Sequence, residues 1–433
     1  MGQSRLLPFV GLLFFHLIPN QLCKTCEVSE EKYFLLSPLW KTMTHSKYTM
    51  GTQSADVLLS LRLVGIQNQT LIQPLSQQVR RSGGSKGVNL SSGQLALITL
   101  ALGACHTPDE AFIYDNHLLS RLENKFQAEI KNMEAHNGSP LTNYYQLSLG
   151  ALALCLFHGR YSTTQVAELF APGNKNYYFH GQFVVDIGAM AVLALTCIKR
   201  GLANGQTKTE KEDLRSIDNH IQSLVDKILL EKKRNGLIGN TFSTGIAMQA
   251  LFISSDYYKE SKWNCEQTLK TVLEEIAQGV FNIPIAAAQI LPALVGKTYL
   301  DVNRDSSCTS GLGNFDISSH KPMSTKPPNS PSNISIHYSV KINEIYSTTV
   351  TVPSGSVFLD VMEEAQKKNE TLFGFTVEQS SWGPFITSVQ GLKASNTDRT
   401  YWELLSSGRS LSQGVGNYVV HDGEDLEVRW SKY

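Results

Sequence analysis

Two ten-residue stretches, DIGAMAVLAL (residues 186–195) and STGIAMQALF (residues 243–252), decide the fold. Wound as α-helices, both are apolar and rich in small residues around almost their whole circumference. A helix without a polar face has to be covered by protein on all sides. The two stretches therefore predict a core in which helices are buried by other helices.

Four more stretches have the same character: residues 54–63, 93–102, 146–154 and 285–294. The six begin roughly 40 to 57 residues apart, which is the length of a helix pair. More charged, amphipathic stretches lie between them, at residues 115–134, 163–170, 210–233 and 266–277. Six buried helices that alternate with six outer ones predict an α6–α6 toroid, a closed barrel of helix pairs. An open solenoid is the alternative.

The composition restricts the partners of this 433-residue chain. It has 38 basic and 38 acidic residues, and charged residues make up only 18% of the total, against about 25% in an average soluble domain. A neutral balance argues against a nucleic-acid-binding protein, which normally carries a basic excess or face. A large, neutral partner of mixed polarity remains possible.

The N-terminus resembles a targeting segment. Residues 6–18 form an almost unbroken apolar run after a single charge, Arg5. The run is too short to cross a bilayer and predicts a secretory signal peptide, residues 1–23; a membrane anchor is the alternative. No later segment reaches the roughly 18 apolar residues of a membrane helix. We therefore expect a secreted, extracellular protein without a membrane contact.

Cysteines and glycosylation sequons agree with secretion. Beyond Cys23 in the signal region, an even number of cysteines remains, which could close three bridges in fifteen possible ways. Their spacing does not indicate a zinc site, and we expect no metal ligands. Five Asn-x-Ser/Thr sequons are candidates for glycosylation: Asn68, Asn89, Asn137, Asn333 and Asn369.

A Pro-rich stretch divides the chain. Residues 309–333 contain Pro322, Pro327, Pro328 and Pro331 among polar residues, which is typical of an extended linker. Before it lies the cysteine-containing helical domain, residues 24–308. After it, residues 334–433 change to the two-residue alternation of strands, with one amphipathic helix near residues 357–366 and further strand-like runs that include residues 372–377. The chain is thus predicted to be multidomain, α followed by a small, β-rich α+β domain.

Polar residues near the starts of the apolar helices form a candidate site. Short polar residues there are good N-caps, and parallel inner helices would collect their N-termini at one end of the toroid. The candidates at this rim are mostly neutral amides and hydroxyls, which both donate and accept hydrogen bonds: Thr142, Asn143, Tyr144, Tyr145, Gln146, Asn240, Ser243 and Gln289. Capping and packing alone would explain several of them, but least well Gln146 and Gln289, because a buried amide needs partners.

We found no sequence pattern of an enzyme and expect no catalytic residue. The Gly-x-Ser-x-Gly, His-Glu-x-x-His and Walker motifs do not occur. An α/α toroid would also suit a glycosidase, which needs two carboxylates, yet only Asp56 and Asp186 are acidic in the six apolar stretches. A glycosidase and a protein-interaction module remain the alternatives to a binding protein.

Several motifs in one order resemble the cobalamin transport proteins. They are LTNYYQLSL (141–149), DIGAMA (186–191), NTFSTG (240–245), AAAQILPAL (286–294) and YWEL (401–404). The likeness extends through the whole mature chain, including the cysteines, the linker and the C-terminal domain. It implies a secreted carrier of cobalamin and related corrinoids, in which cobalamin is the transported ligand and not a catalytic cofactor. A monomer and an uptake receptor are further expectations.

The resemblance also assigns residues. It implies the disulfides Cys26–Cys265, Cys105–Cys308 and Cys155–Cys197, and an α6–α6 barrel covered by the β-rich domain with the ligand between them. It places ligand contacts at residues 142–146, Asp186, Asn240, Ser243 and Gln289. On the small domain the implied contacts are Phe385, Ile386, Trp402, Glu403 and Leu404.

One departure from the family pattern concerns cobalt. Some members have a His-rich loop before the Val-Asp pair, and a histidine there can coordinate the metal. In this chain the stretch reads HGQFVVD (180–186), so that Gln182 and Phe183 occupy those places. We expect no protein ligand to cobalt, with His180 as the exception to test, and therefore broad acceptance of corrinoids.

Overall fold

The structure is a computed structural model. It describes residues 26–45, 51–66, 68–85, 89–104, 109–179, 181–202, 208–303, 333–380, 383–395, 398–411, 413–416 and 418–432. The predicted signal peptide, Cys105, His180, Cys308 and residues 309–332 of the predicted linker lie outside the described residues.

The first part of the chain is helical. Its α-helices are α1 (Ser37–His45), α2 (Gly51–Leu63), α3 (Gln69–Gly84), α4 (Ser92–Gly103), α5 (Glu110–Asp115), α6 (Leu118–Ala135), α7 (Tyr144–Leu156), α8 (Thr163–Leu169), α9 (Val185–Leu202), α10 (Lys208–Leu230), α11 (Ser243–Ile253), α12 (Cys265–Ala277) and α13 (Pro284–Leu294). Short 3-10 helices span Glu30–Leu36, Lys175–Tyr177, Ser255–Tyr257, Glu260–Lys262 and Tyr299–Asn303. A two-stranded hairpin, β1 (Tyr178–Phe179) and β2 (Gln182–Phe183), precedes α9.

The helices divide into an inner and an outer set, as their sequences predict. Most residues of α2, α4, α7, α9, α11 and α13 are buried, and in α7 and α9 the less buried ones lie at the two ends of the helix. The outer helices have a single buried stripe, such as Thr268, Val272 and Ile276 of α12, which recur every fourth residue. Each stretch predicted to be an inner helix forms one. The outer helices α1 and α3 were not among the amphipathic stretches recognised in the sequence.

Contacts among the inner helices run in a cycle. Helix α2 contacts α4, α4 contacts α7, α7 contacts α9, α9 contacts α11, α11 contacts α13, and α13 contacts α2. The 3-10 segment Tyr299–Asn303 contacts α2, α4, α7 and α9 at once. The chain after the last inner helix therefore returns to the inner helices, where Val302 is fully buried.

Among the described residues, two disulfides connect distant parts of this domain. Cys26 is bonded to Cys265, with Cα atoms 5.7 Å apart, and this bridge joins the N-terminal segment to the start of α12. Cys155 is bonded to Cys197, with Cα atoms 6.2 Å apart, and this bridge joins the inner helices α7 and α9. Both separations suit a disulfide.

The second part of the chain is a small β-rich domain. Its strands are β3 (Asn333–Lys341), β4 (Ile345–Pro353), β5 (Phe375–Ser380), β6 (Gly383–Val389), β7 (Leu392–Lys393), β8 (Thr400–Ser406), β9 (Arg409–Ser410) and β10 (Asp425–Lys432), with helices α14 (Phe358–Lys368) and α15 (Glu370–Phe373). One sheet has the order β4-β3-β10-β8-β9 and the other β5-β6-β7.

The strand alternation predicted from the sequence is confirmed in β3, where Ile334, Ile336, Tyr338 and Val340 are buried and the intervening residues point outward. Helix α14 packs on β3 and β4. The prediction of a strand over residues 372–377 is wrong at its start. There Asn369 accepts a hydrogen bond from the backbone N–H of Leu372 and caps α15, so that the strand begins only at Phe375.

A helix-rich N-terminal domain with a small β-rich C-terminal domain is thus confirmed. Within the described residues, none of the helices is both long and apolar enough to cross a membrane.

The contact between α11 and α13 generates the first prediction. A Cβ atom added at Gly245 would lie 3.1 Å from Cα of Ile290 and 3.2 Å from the carbonyl oxygen of Gln289, and a backbone cannot yield as a side chain can. We expect Gly245→Ala to lower the free energy of unfolding by about 1–3 kcal/mol, as overpacking does. Urea denaturation followed by far-UV circular dichroism measures this.

Gly201→Ala in α9 is the matched control. No atom lies within 4 Å of its added Cβ, and alanine is the better helix former by up to ~1 kcal/mol. The control should be neutral or stabilising. Equal effects of the two substitutions would contradict close packing of α11 on α13.

Candidate functional site

A cavity of about 600 Å³ lies at the N-terminal ends of inner helices. The segments leading into α7, α9 and α11 contribute to its wall, and Gln289 of α13 reaches it as well. Its lining residues are Ser139, Pro140, Thr142, Asn143, Tyr144, Tyr145, Asn176, Tyr178, Phe179, Val184, Asp186, Ile187, Asn240, Phe242, Gln289 and Arg399. Seven of the nine residues predicted on this domain are therefore brought together.

The other two predicted residues, Gln146 and Ser243, support the wall without lining it. The Gln146 side chain accepts a hydrogen bond from the Ser91 hydroxyl at 2.7 Å, which links the N-terminal ends of α4 and α7. The Ser243 hydroxyl accepts from the backbone N–H of Asn240 at 2.7 Å and donates to the carbonyl of Ile238 at 3.0 Å. Their hydrogen-bonding capacity is used mostly inside the protein.

Caps hold the polar ends of the helices in place. The Asn143 side-chain oxygen accepts from the backbone N–H of Gln146 at 2.9 Å and caps α7. The Asn240 side-chain oxygen accepts from the N–H groups of Phe242 and Ser243, both at 2.8 Å. Each cap occupies the amide oxygen, which leaves the side-chain N–H groups of these two residues oriented for other partners.

A buried carboxylate that sequence reasoning missed positions Thr142. Glu129 of the outer helix α6 is 2% exposed and accepts hydrogen bonds from the hydroxyl and the backbone N–H of Thr142, at 2.7 and 3.1 Å. It also accepts one from the Ser92 hydroxyl at 2.7 Å. Glu129 lies three residues after Phe126 and four before Met133, so its position on the apolar face of the helix was a signal that could have been noticed, whereas its partners could not be read from the sequence.

Desolvation governs the charge of Asp186. This residue lies in the first turn of α9 and lines the cavity. Its carboxyl group is surrounded by protein, which raises its pKa to about 6, while a backbone hydrogen bond opposes the change. Asp186 therefore changes charge just below neutral pH, whereas an exposed aspartate does so near pH 4.

Tyr145 and Gln289 form a polar pair in the wall. The Gln289 side-chain N–H lies 3.4 Å from the Tyr145 hydroxyl oxygen. Burial raises the pKa of Tyr145, as do the nearby Tyr299, Asp186 and Asp56. Gln289 is only 6% exposed, and its side-chain oxygen has no hydrogen-bond partner among the described residues. An unpaired buried amide oxygen costs about 1–3 kcal/mol, which a ligand that donates to it would recover.

Tyr144 contributes packing. Its ring is 2% exposed and makes edge contacts with Phe170 and Tyr177, at centroid distances of 5.5 and 5.1 Å. Its hydroxyl donates to the carbonyl of Leu169. Only an edge of this residue is therefore available to the cavity.

A second cavity of about 650 Å³ borders the β-rich domain. Trp402, Glu403 and Leu404 of β8, which are predicted ligand contacts, line it together with Phe179, Gln182, Tyr401, Ser410, Leu411, Arg429 and Ser431. Trp402 is 7% exposed and packs on Trp430, at a centroid distance of 4.9 Å. Its indole N–H has no hydrogen-bond partner in the described part of the chain.

Glu403 is held by its own domain. Its carboxylate accepts hydrogen bonds from the hydroxyls of Ser410 and Ser431, the second at 2.8 Å, and lies 4.0 Å from the guanidinium of Arg429. The predicted residues Phe385 and Ile386 of β6 are not among the described residues that line either cavity. Phe385 is 45% exposed, and Ile386 is 8% exposed within the core of the small domain.

Sequence reasoning missed several lining residues: Asn176, Tyr178, Phe179, Phe242 and Arg399. Tyr178 and Phe179 belong to the hairpin before α9, and the aromatic pair ahead of Gly181 is a signal that could have been noticed. Phe183 turns inward, where its ring covers Gly188, whereas Gln182 lines the second cavity. Among the described residues, no group of three or more His, Cys, Asp or Glu side chains is arranged to hold a metal ion.

Comparisons with known proteins identify the family of this chain. A family model described as eukaryotic cobalamin-binding protein matches residues 8–329, and a domain of unknown function, DUF4430, matches residues 355–432. Human Transcobalamin-1 is 64% identical over 433 residues, which is 100% of both chains. Transcobalamin-1 of Sus scrofa is 50% identical over 93% of this chain and 94% of its own.

A solved structure is also similar. The crystal structure of haptocorrin in complex with Cbi superposes with a TM-score of 0.87 at 63% identity and covers 95% of this chain and 100% of its own. Within the family, the motifs quoted above most resemble haptocorrin, or transcobalamin-1, and these comparisons confirm that resemblance. By the family model, the relatives and the fold, this chain belongs to the eukaryotic cobalamin-binding proteins.

Proposed function

We propose that this protein is a secreted carrier that binds cobalamin and related corrinoids between its two domains and performs no catalysis. The observation that carries the proposal is the buried, unpaired side-chain oxygen of Gln289 in the wall of a cavity lined mainly by neutral groups. A corrin ring is an apolar macrocycle with amides around its edge. Such a ligand needs apolar walls and neutral hydrogen-bond partners, and both are present.

The two domains offer complementary hydrogen-bonding groups. On the helical domain, the Gln289 oxygen is enclosed by protein and becomes an acceptor for a ligand amide N–H once its side chain turns towards the cavity. On the β-rich domain, the indole N–H of Trp402 is enclosed as well and becomes a donor for a ligand oxygen once the ring shifts towards the second cavity. Thr142, Asn143, Tyr145, Asp186 and Asn240 complete the proposed contacts on the first domain. Gln146 and Ser243 support them, and Tyr144 packs behind them.

We assign Glu403 and Leu404 to the ligand side of the small domain as well, since both line the second cavity. Phe385 and Ile386 remain proposed contacts from the family resemblance alone. The cycle of contacts among the six inner helices supports the α6–α6 toroid. It favours a closed barrel over an open solenoid, in which the first and last inner helices would not meet. A Pro-rich linker over residues 309–333 remains part of the proposal.

We do not propose that a side chain of this protein coordinates the cobalt from the upper face of the corrin ring. Gln182 and Phe183 stand where a coordinating histidine would be required, and Phe183 packs inside the domain. A site that fills this face by packing should accept corrinoids with different axial groups. By the family resemblance, the carrier should also bind corrinoids that are altered on the lower face, including analogues that lack the nucleotide.

Surface features support secretion. The five asparagines of the sequons, Asn68, Asn89, Asn137, Asn333 and Asn369, are all exposed and so are accessible to glycosylation. Disulfides such as Cys26–Cys265 and Cys155–Cys197 form in oxidising compartments. Cleavage near residue 23, the Cys105–Cys308 bridge, a monomeric carrier and an uptake receptor complete the proposal.

The proposal is tested by corrinoid titration of the secreted, disulfide-intact protein. We expect stoichiometric binding of both cobalamin and cobinamide, followed by the change in the visible absorption of the corrin. Gln289→Leu keeps most of the side-chain volume but removes the acceptor. It should weaken binding by about 10- to 100-fold, because the ligand N–H is then buried without a partner.

Gln73→Leu on the exposed face of α3 is the matched control and should bind like wild type. The apo form of Gln289→Leu should be at least as stable as wild type, since the substitution removes an unpaired buried oxygen. A wild-type protein that binds no corrinoid would contradict the proposed function. Unchanged affinity in Gln289→Leu would contradict the role of this residue alone.

The raised pKa of Asp186 gives a prediction about pH. Because its pKa is about 6 in the folded protein, against about 3.9 in an unfolded chain, the native state holds its proton over the pH range between these values. This carboxyl group therefore lowers stability as pH rises from 4 to 6. In the apo protein, Asp186→Asn should raise the free energy of unfolding at pH 7.4 by up to about 2 kcal/mol.

The difference in free energy of unfolding between Asp186→Asn and wild type should shrink towards zero near pH 4. At that pH the carboxyl group of Asp186 in the folded wild-type protein is protonated and therefore as neutral as the asparagine. Urea denaturation at the two pH values measures it, and Asp115→Asn on the exposed end of α5 should show no such pH dependence. A difference between Asp186→Asn and wild type that stays constant with pH would rule out the desolvated carboxyl.

A further inference from the structure

The hairpin β1–β2 connects the two domains. Its strands pair Tyr178 with Phe183 and Phe179 with Gln182, and Gly181 in the turn has a φ of +76°, which glycine adopts without strain. The hairpin ends directly before α9, the inner helix that begins with Val185 and Asp186. Any movement of the hairpin is thus close to the wall of the first cavity.

The hairpin is fixed to the helical domain at its base. The ammonium group of Lys227 in α10 donates to the Tyr178 hydroxyl at 2.6 Å and lies 5.3 Å from the centre of its ring. Phe183 makes aromatic contacts with Tyr177 and Tyr178, at 6.1 and 5.9 Å, and covers Gly188 of α9. These contacts leave Phe179 as the aromatic ring that the hairpin turns towards the small domain.

Phe179 contacts the β-rich domain directly. Its ring lies edge-on to the ring of Tyr401 in β8, at a centroid distance of 4.8 Å and an interplanar angle of 65°. Such pairs contribute about 0.5–1.5 kcal/mol beyond the area that they bury. Tyr401 is next to Trp402, whose indole N–H is proposed to face the ligand.

Phe179 lines both cavities, the one of about 600 Å³ at the helix ends and the one of about 650 Å³ at the small domain. Its ring and that of Tyr401 therefore stand at the boundary between the two spaces. We propose that the contact between Phe179 and Tyr401 is a latch between the domains, which has to open before a bound ligand can leave. This inference rests on the proposed function and adds to it the residues that set the rate of ligand release.

The latch is tested by the rate at which bound cobinamide is displaced from full-length protein by excess cobalamin. Phe179→Ala should release the ligand about 3- to 10-fold faster than wild type, in line with the strength of one aromatic pair. The association rate constant of cobinamide should change less than twofold, because the contact between Phe179 and Tyr401 forms after the ligand has met the protein. Phe179→Tyr preserves the ring edge and should restore the wild-type rate.

A double-mutant cycle separates the latch from independent structural effects. Tyr401→Ala alone should speed release as Phe179→Ala does, and the two together should be no faster than the faster single variant. Phe179→Leu, which keeps apolar bulk without a ring, provides a second measurement of the same loss if the alanine variant is poorly secreted. Tyr114→Ala, an exposed aromatic on α5, is the control.

Three outcomes are distinguishable. Faster release in both single variants without further acceleration in the double variant supports the latch. Release at the wild-type rate in Phe179→Ala and Phe179→Leu, or effects that multiply in the double variant, would overturn it while leaving the proposed function intact. A wild-type protein that binds no cobinamide would overturn both.

Discussion

Burial of the inner helices on every face is the constraint from which the rest of the structure follows. Such helices cannot place a polar side chain on their flanks without desolvating it. They pack closely instead, as where Gly245 of α11 approaches the backbone of α13. Polar side chains inside these helices are mostly hydroxyls and amides, such as Ser148, Gln249 and Gln289, and others stand at the helix ends, where caps are needed in any case. A site for a large ligand with polar groups around its edge forms at those ends, because few other parts of the inner helices can present hydrogen-bonding groups to a ligand.

Several buried charges of the helical domain are bound within the protein. Glu129 holds Thr142 and Ser92, and Asp109 is paired with Arg62 and Arg80. Glu403 in the small domain is likewise bound by two serines. What remains for the first cavity is mainly amides, hydroxyls and aromatic edges, with Asp186 and Arg399 as its ionisable exceptions apart from the tyrosines. The low charge content of the sequence therefore reflects both the buried helices and a largely neutral cavity wall.

Local patterns predicted much of this molecule. Apolar stretches without a polar face located all six inner helices, and two-residue alternation located β3. The polar residues near the starts of those helices located six of the sixteen described residues that line the first cavity, because capping and ligand contact require the same side chains at the same positions. Leu372 was assigned to a strand because an apolar residue fits either structure, and the cap supplied by Asn369 decided for a helix.

What the sequence could not predict depends on distant parts of the chain. Gln146 has a hydrogen-bonding amide like that of Gln289, but Ser91 of another helix occupies its oxygen, whereas the oxygen of Gln289 has no partner among the described residues. Phe179 and Arg399 enter the site only because the hairpin and the small domain meet there. Such contacts join residues that are far apart in the chain, and no local sequence pattern predicts them.

A crystal structure of the protein with cobalamin bound would test the central claim most directly. The account predicts a corrin ring between the N-terminal ends of α7, α9 and α11 and strand β8. A ligand amide N–H should then lie within hydrogen-bond distance of the Gln289 side-chain oxygen, about 2.7–3.2 Å. A corrin bound elsewhere, or one bound there with the Gln289 oxygen still unpaired, would contradict it.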